Sequence, residues 1–143
     1  MDRLLNVSLI AAMAAVATGP ALAASPTCGD QTATVYFEDG SSALTREAKS
    51  NLKLLRATAN DCQVRELRVV GLAGDPGDAA ANMALSQARA SMVVKELQHH
   101  GFKPIVVVVT AKGDVDDTTS KGLERPMHRR VDVALHLTTK PGR

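Results

Sequence analysis

The sequence predicts an α+β domain: a strand–helix–strand unit, then a long helix and two more strands. Three observations predict it. Residues 32–71 pass from strand-like to helical to strand-like patterning, the mark of a βαβ unit with parallel strands and a right-handed crossover. A Gly/Asp/Pro-rich loop then runs into a long helical pattern, in the stretch GLAGDPGDAAANMALSQARASMVV at residues 71–94. Two later runs, IVVVVT at residues 105–110 and an alternating segment at 130–138, read as strands.

Residues 32–37 are rich in Thr, Val, Tyr and Phe, the β-branched and aromatic types that fit a pleated surface. The loop Glu38-Asp39-Gly40-Ser41-Ser42 follows. Leu44 then reads as a staple residue, Thr45 as an N-cap and Glu47 as a first-turn acid. Ala48, Leu52, Leu55 and Ala59 recur on one helical face, and Asn60-Asp61 ends the pattern. In the strand at 64–71, Leu67 and Val69 alternate against Arg68 and Val70. Asp78 is the expected N-cap of the long helix, whose apolar stripe is read as Ala81, Leu85, Ala88 and Met92, extended by Val93 and Leu97. Gly101 is placed just past its end, with Pro104 as a stop. The unbroken β-branched run at 105–110 predicts a strand covered on both faces. Residues 115–126 are polar and read as a loop. In 130–138, Val131, Val133, Leu135 and Leu137 alternate with polar positions, and residues 139–143 form a tail.

The first 23 residues are expected to be a secretory signal peptide, not part of the fold. Arg3 supplies the positive end, residues 7–18 are uncharged and mostly apolar, and Ala21-Leu22-Ala23 offers a small-x-small cleavage site. The apolar run is too short to span a bilayer, which needs about 20 residues. No lipid anchor is expected at Cys28, because Ser25-Pro26-Thr27 precedes it. Residues 24–31 form an N-terminal segment before a single domain at 32–138. Cleavage removes one acid and one base, so the net charge stays at +2, too weak to imply nucleic acid. With no Trp, one Tyr and two Phe, stacking on bases is also poorly supported.

Cys28 and Cys62 would both remain after cleavage, and an even count in an exported chain favours a disulfide. Each precedes one strand of the βαβ unit. If those parallel strands are neighbours, the two cysteines start on one edge, within bridging distance.

Catalytic and metal signatures are missing from the sequence: no CxxC, HExxH, GxSxG elbow or phosphate-binding glycine loop is present. No enzyme, metal or cofactor is therefore expected. His99 and His100, side by side near a helix end, read as solvated residues at the negative pole of the helix dipole. Asn82, Ser86 and Arg89 fall at i, i+4 and i+7, on one helix face beside the acidic loop. An arginine facing a carboxylate suits a zwitterionic ligand, because guanidinium takes a carboxylate in parallel hydrogen bonds and an acid takes an ammonium.

These motifs, in this order, resemble the OmpA-like C-terminal domain, the peptidoglycan-binding module of Gram-negative envelopes. The resemblance covers residues 32–137. It rests on VYFEDGSSALTREAKSNL, on Asn82-x-x-Leu85-Ser86-x-x-Arg89-Ala90, on Gly113 after the third strand, and on Arg129-Arg130-Val131. It implies a βαβαβ-type two-layer sandwich, with a mixed sheet packed against two long helices. It also implies non-covalent binding of the diaminopimelate-containing stem peptide in the periplasm. Arg89 would grip the ligand carboxylate, supported by Asn82, with Arg129 or Arg130 nearby. One departure stands out: the family's G-H-T-D is Gly71-Leu72-Ala73-Gly74 here, so Gly74 occupies the place of the ligand-binding aspartate. Asp75 lies one residue late, in a loop whose glycines permit unusual backbone angles. Two readings follow. One is a periplasmic stem-peptide binder using Arg89, Asn82 and Asp75, supported by Arg129 or Arg130, either a free wall-associated factor or outer-membrane associated through a partner. The other is an interaction module for another envelope protein that kept the fold and lost or weakened the ligand.

Overall fold

The computed structural model describes residues 28–75, 78–113 and 128–142. The expected signal peptide and the polar loop at 115–126 lie outside them. Four strands and two helices follow the predicted order: β1 (Gln31–Tyr36), α1 (Arg46–Thr58), β2 (Cys62–Gly71), α2 (Ala79–His99), β3 (Val106–Ala111) and β4 (Arg130–Thr139).

Local chemistry sets the helix ends. Thr45 caps α1, its side-chain oxygen accepting from the Ala48 N–H at 3.1 Å, and Asp78 caps α2 by accepting from the Ala81 N–H at 2.7 Å. At the far end of α2, Gly101 adopts φ +83°. Its N–H donates to the Gln98 carbonyl, and the Phe102 N–H to the Leu97 carbonyl. This is the Schellman pairing, and both Phe102 and Leu97 are buried, supplying its hydrophobic contact.

The strands form one mixed sheet in the order β1-β4-β2-β3. Strand β4 runs antiparallel to β1 and to β2, while β2 and β3 are parallel. Both helices lie on one face, over a core that includes Leu52, Leu67, Val69, Val93, Leu97, Val133 and Leu135. The predicted alternations hold: Leu67 and Val69 are buried in β2, and Val131, Val133, Leu135 and Leu137 in β4.

Three expectations fail in instructive ways. First, β1 and β2 are not neighbours, because β4 inserts between them. The disulfide forms nevertheless, with Cys28 and Cys62 Cα atoms 5.7 Å apart. Two strand spacings amount to about 9.6 Å, so residues 28–30 carry Cys28 across the end of β4. Second, β3 is an edge strand and is not covered on both faces. Val106, Val107 and Val109 are exposed, as is Ile105 just before them. A β-branched run fits a strand whatever covers it, so composition could not reveal the edge. Third, the buried face of α2 is Asn82, Ser86, Arg89, Ala90, Val93 and Leu97. The polar trio turns inward and displaces the stripe of Ala81, Leu85, Ala88 and Met92, because each polar group has a partner inside.

The edge position of β3 has a measurable consequence. Val69 and Val109 are partners across the parallel pair, yet Val69 is fully buried and Val109 is 38% exposed. Val109→Lys should change the unfolding free energy by no more than about 1 kcal/mol, and Val69→Lys by more than about 4, since only the second buries an unpaired charge. Urea denaturation of the two variants checks this.

Candidate functional site

The carboxyl ends of β1, β2 and β3 and the start of β4 meet at one end of the sheet, beside the first half of α2. Gly71 lets the helix approach: a Cβ there would run into the Ser86 carbonyl and contact the Ala90 side chain. The Ser86 hydroxyl accepts from the Gly113 N–H at 3.0 Å and donates to the Met83 carbonyl at 2.8 Å. Gly113 sits at φ +60°, a left-handed conformation that a side chain would strain.

Arg89 is fully buried, and all five of its N–H groups are used. Nε donates to the Ser41 carbonyl at 2.8 Å. One terminal nitrogen donates to Asp75 Oδ2 at 2.7 Å and to the Leu72 carbonyl at 3.4 Å. The other donates to Asp75 Oδ1 at 3.2 Å and to the Glu38 carbonyl at 3.0 Å. The Phe37 ring lies 5.4 Å from the guanidinium carbon, adding a cation–π contact. Asp75 is also buried, and its Oδ1 accepts a further bond from the Gly40 N–H at 2.6 Å. Asn82 Nδ2 donates to the Asp75 backbone carbonyl at 3.0 Å and holds that residue in place.

Burial pushes the Asp75 carboxyl up. Hydrogen bonds from Arg89 and the Gly40 N–H, with the charge of Arg89, outweigh it and leave the group below the ordinary aspartate value. Gly74, at the position of the family aspartate, carries no side chain for a steric reason. A Cβ there would lie 2.5 Å from the His128 Cβ. Gly74→Asp should therefore destabilise the domain by about 1–3 kcal/mol through overpacking, read as a lowered denaturation midpoint.

The structure thus brings Arg89, Asn82 and Asp75 together. Arg129 stands beside them: its carbonyl accepts from the Phe37 N–H at 2.8 Å, and its guanidinium lies 3.6 Å from Asp39 Oδ1. The Arg130 side chain donates from Nε to Asp132 at 3.1 Å. Asp78, a second acid of the loop, is used as the α2 cap. Sequence reasoning missed Phe37, Asp39 and the carbonyls of Glu38, Ser41 and Leu72. Backbone groups carry no sequence signal, and Asp39 was legible only as part of a polar loop. Among the described residues, no group of His, Cys, Asp or Glu could hold a metal ion, and no helix is long and apolar enough to cross a membrane.

Residues 36–130 match the OmpA family, spanning every element of this site. The chain belongs to the OmpA family. Solved structures with the same fold include the OmpA-like domain of FopA1 from Francisella tularensis, at 18% identity and TM-score 0.63, covering 78% of this chain and 76% of that one. The peptidoglycan-associated lipoprotein from Burkholderia pseudomallei is similar at 20% identity and TM-score 0.55, over 73% and 89% of the two chains. The cell wall anchor of the type VI secretion system (T6SS) from Pseudomonas aeruginosa is similar at 18% identity and TM-score 0.59, over 76% and 82%. No curated protein matches the chain by sequence. The α+β class and the mixed sheet under two helices are those of an OmpA-like domain. Within that frame, Arg89 is paired with Asp75 and Gly74 carries no acid.

Proposed function

We propose that this OmpA-family domain is a non-catalytic periplasmic module that binds the diaminopimelate-containing stem peptide of peptidoglycan. The ligand docks at the end of the sheet where Arg89, Asn82, Asp75 and Arg129 converge. One observation carries the reading: the Asp75 carboxylate reaches the Arg89 guanidinium through both oxygens, so the ion pair that organises this end of the sheet is present although Gly74 carries no acid. Two similar structures, a peptidoglycan-associated lipoprotein and a cell wall anchor, support the same ligand class. The periplasmic address rests on the expected signal peptide and agrees with the disulfide, since such bridges persist in oxidising compartments.

The test is retention on purified peptidoglycan. Wild-type protein should be held by the wall and released by a stem peptide containing diaminopimelate, more readily than by one with lysine in its place. Failure to be retained rejects the reading.

The complete enclosure of Arg89 favours a second reading, in which the fold is kept, the wall ligand is weakened, and the surface near Arg129 and Arg130 contacts another envelope protein. Retention on the wall separates the two.

A further inference from the structure

Arg89 has no N–H left for a ligand. Its five donors are spent on three carbonyls and two carboxylate oxygens, and no part of it is exposed. A ligand carboxylate would have to displace Asp75 from a buried bidentate pair, leaving that acid without its charge partner. The pair therefore behaves as a strut, and the ligand must find other groups.

The strut prepares one acid directly. Glu38 turns its carbonyl inward to Arg89, and Gly40 turns its N–H inward to Asp75, with Gly40 at φ +63°. Asp39, between them, keeps its side chain 61% exposed at the rim.

A base faces it. Arg129 is held by its carbonyl to Phe37, the residue whose ring lies against Arg89. Its terminal nitrogen is 3.6 Å from Asp39, too long for a hydrogen bond, and its Nε is buried with no hydrogen-bond partner among the described residues.

We propose that Arg129 and Asp39 are the groups that touch the ligand, and that Arg89 and Asp75 only position them. The carboxylate of an α-amino acid zwitterion takes the terminal nitrogens of Arg129, whose side chain is 25% exposed. Its ammonium takes Asp39. Both partners are then charge-matched without opening the strut. This assignment rests on the stem-peptide reading above and names the residues that would carry it.

Calorimetry with a diaminopimelate-containing stem peptide, paired with thermal melting of each variant, tests it. Asp39→Asn and Arg129→Gln should each weaken binding at least about tenfold with the melting temperature nearly unchanged. Arg129→Lys should not restore wild-type affinity, because an ammonium lacks the fork geometry. Asp75→Asn should lower affinity and melting temperature together. Wild-type binding that survives Asp39→Asn and Arg129→Gln overturns the assignment alone. Absence of wild-type binding overturns the stem-peptide reading and this assignment with it.

Discussion

Asp75→Asn should destabilise the folded domain by about 3 kcal/mol at neutral pH. Breaking a buried ion pair by removing one partner costs about 3–5 kcal/mol, because the remaining charge is left uncompensated. Here the remaining charge is Arg89, fully buried. The lower end of the range applies because three carbonyls, those of Glu38, Ser41 and Leu72, still accept from it. The loss should depend on pH, and its sign is determined. The folded-state pKa of Asp75 lies below the unfolded value of about 3.9. Its contribution is therefore complete above that value and fades as the pH falls through the lower folded-state pKa. Asparagine has no such titration. Urea denaturation at pH 7 and near pH 3 should show wild type and variant far apart at the first and closer at the second. A difference below about 1 kcal/mol at pH 7 would mean that the pair does not hold the loops.

Removing the Cys28–Cys62 bridge is expected to cost about as much, by a different route. The sequence separation is 34 residues, and releasing a loop of that size returns about 3–4 kcal/mol of entropy to the unfolded chain. A Cys28→Ser/Cys62→Ser double variant should show this as a lowered denaturation midpoint. Its effect on the candidate site should be small. Cys62 opens β2, whereas the Arg89 cluster gathers where that strand ends, so ligand affinity should persist while the domain remains folded. A change in affinity without a change in stability would contradict this separation.

Much of the fold could be read from short-range pattern. The caps at Thr45 and Asp78 and the glycine at 101 were legible because a cap is a contact between residues a few positions apart. The alternation of β4 was legible because one face is buried and the other is not. The helix pattern of α2 was correct as a helix and wrong as to its buried face. Its inward residues Asn82, Ser86 and Arg89 are polar, and each is satisfied by loops that a periodicity argument cannot see. The loop Glu38–Ser41, which supplies two of the five acceptors for Arg89, lies about 50 residues away in the chain.

The sequence by itself determined which segments are strands and helices, where the helices begin and end, and which arginine belongs to the site. Those depend on spacings of one to a few turns. Only the tertiary structure decided that β4 separates β1 from β2 and that β3 is an exposed edge, since strand order is a competition among distant segments. It also decided what became of the missing aspartate. His128, more than 50 residues downstream, fills the space beside Gly74, and Asp75 pairs with Arg89. The first contact joins segments far apart in sequence, and no local pattern encodes it.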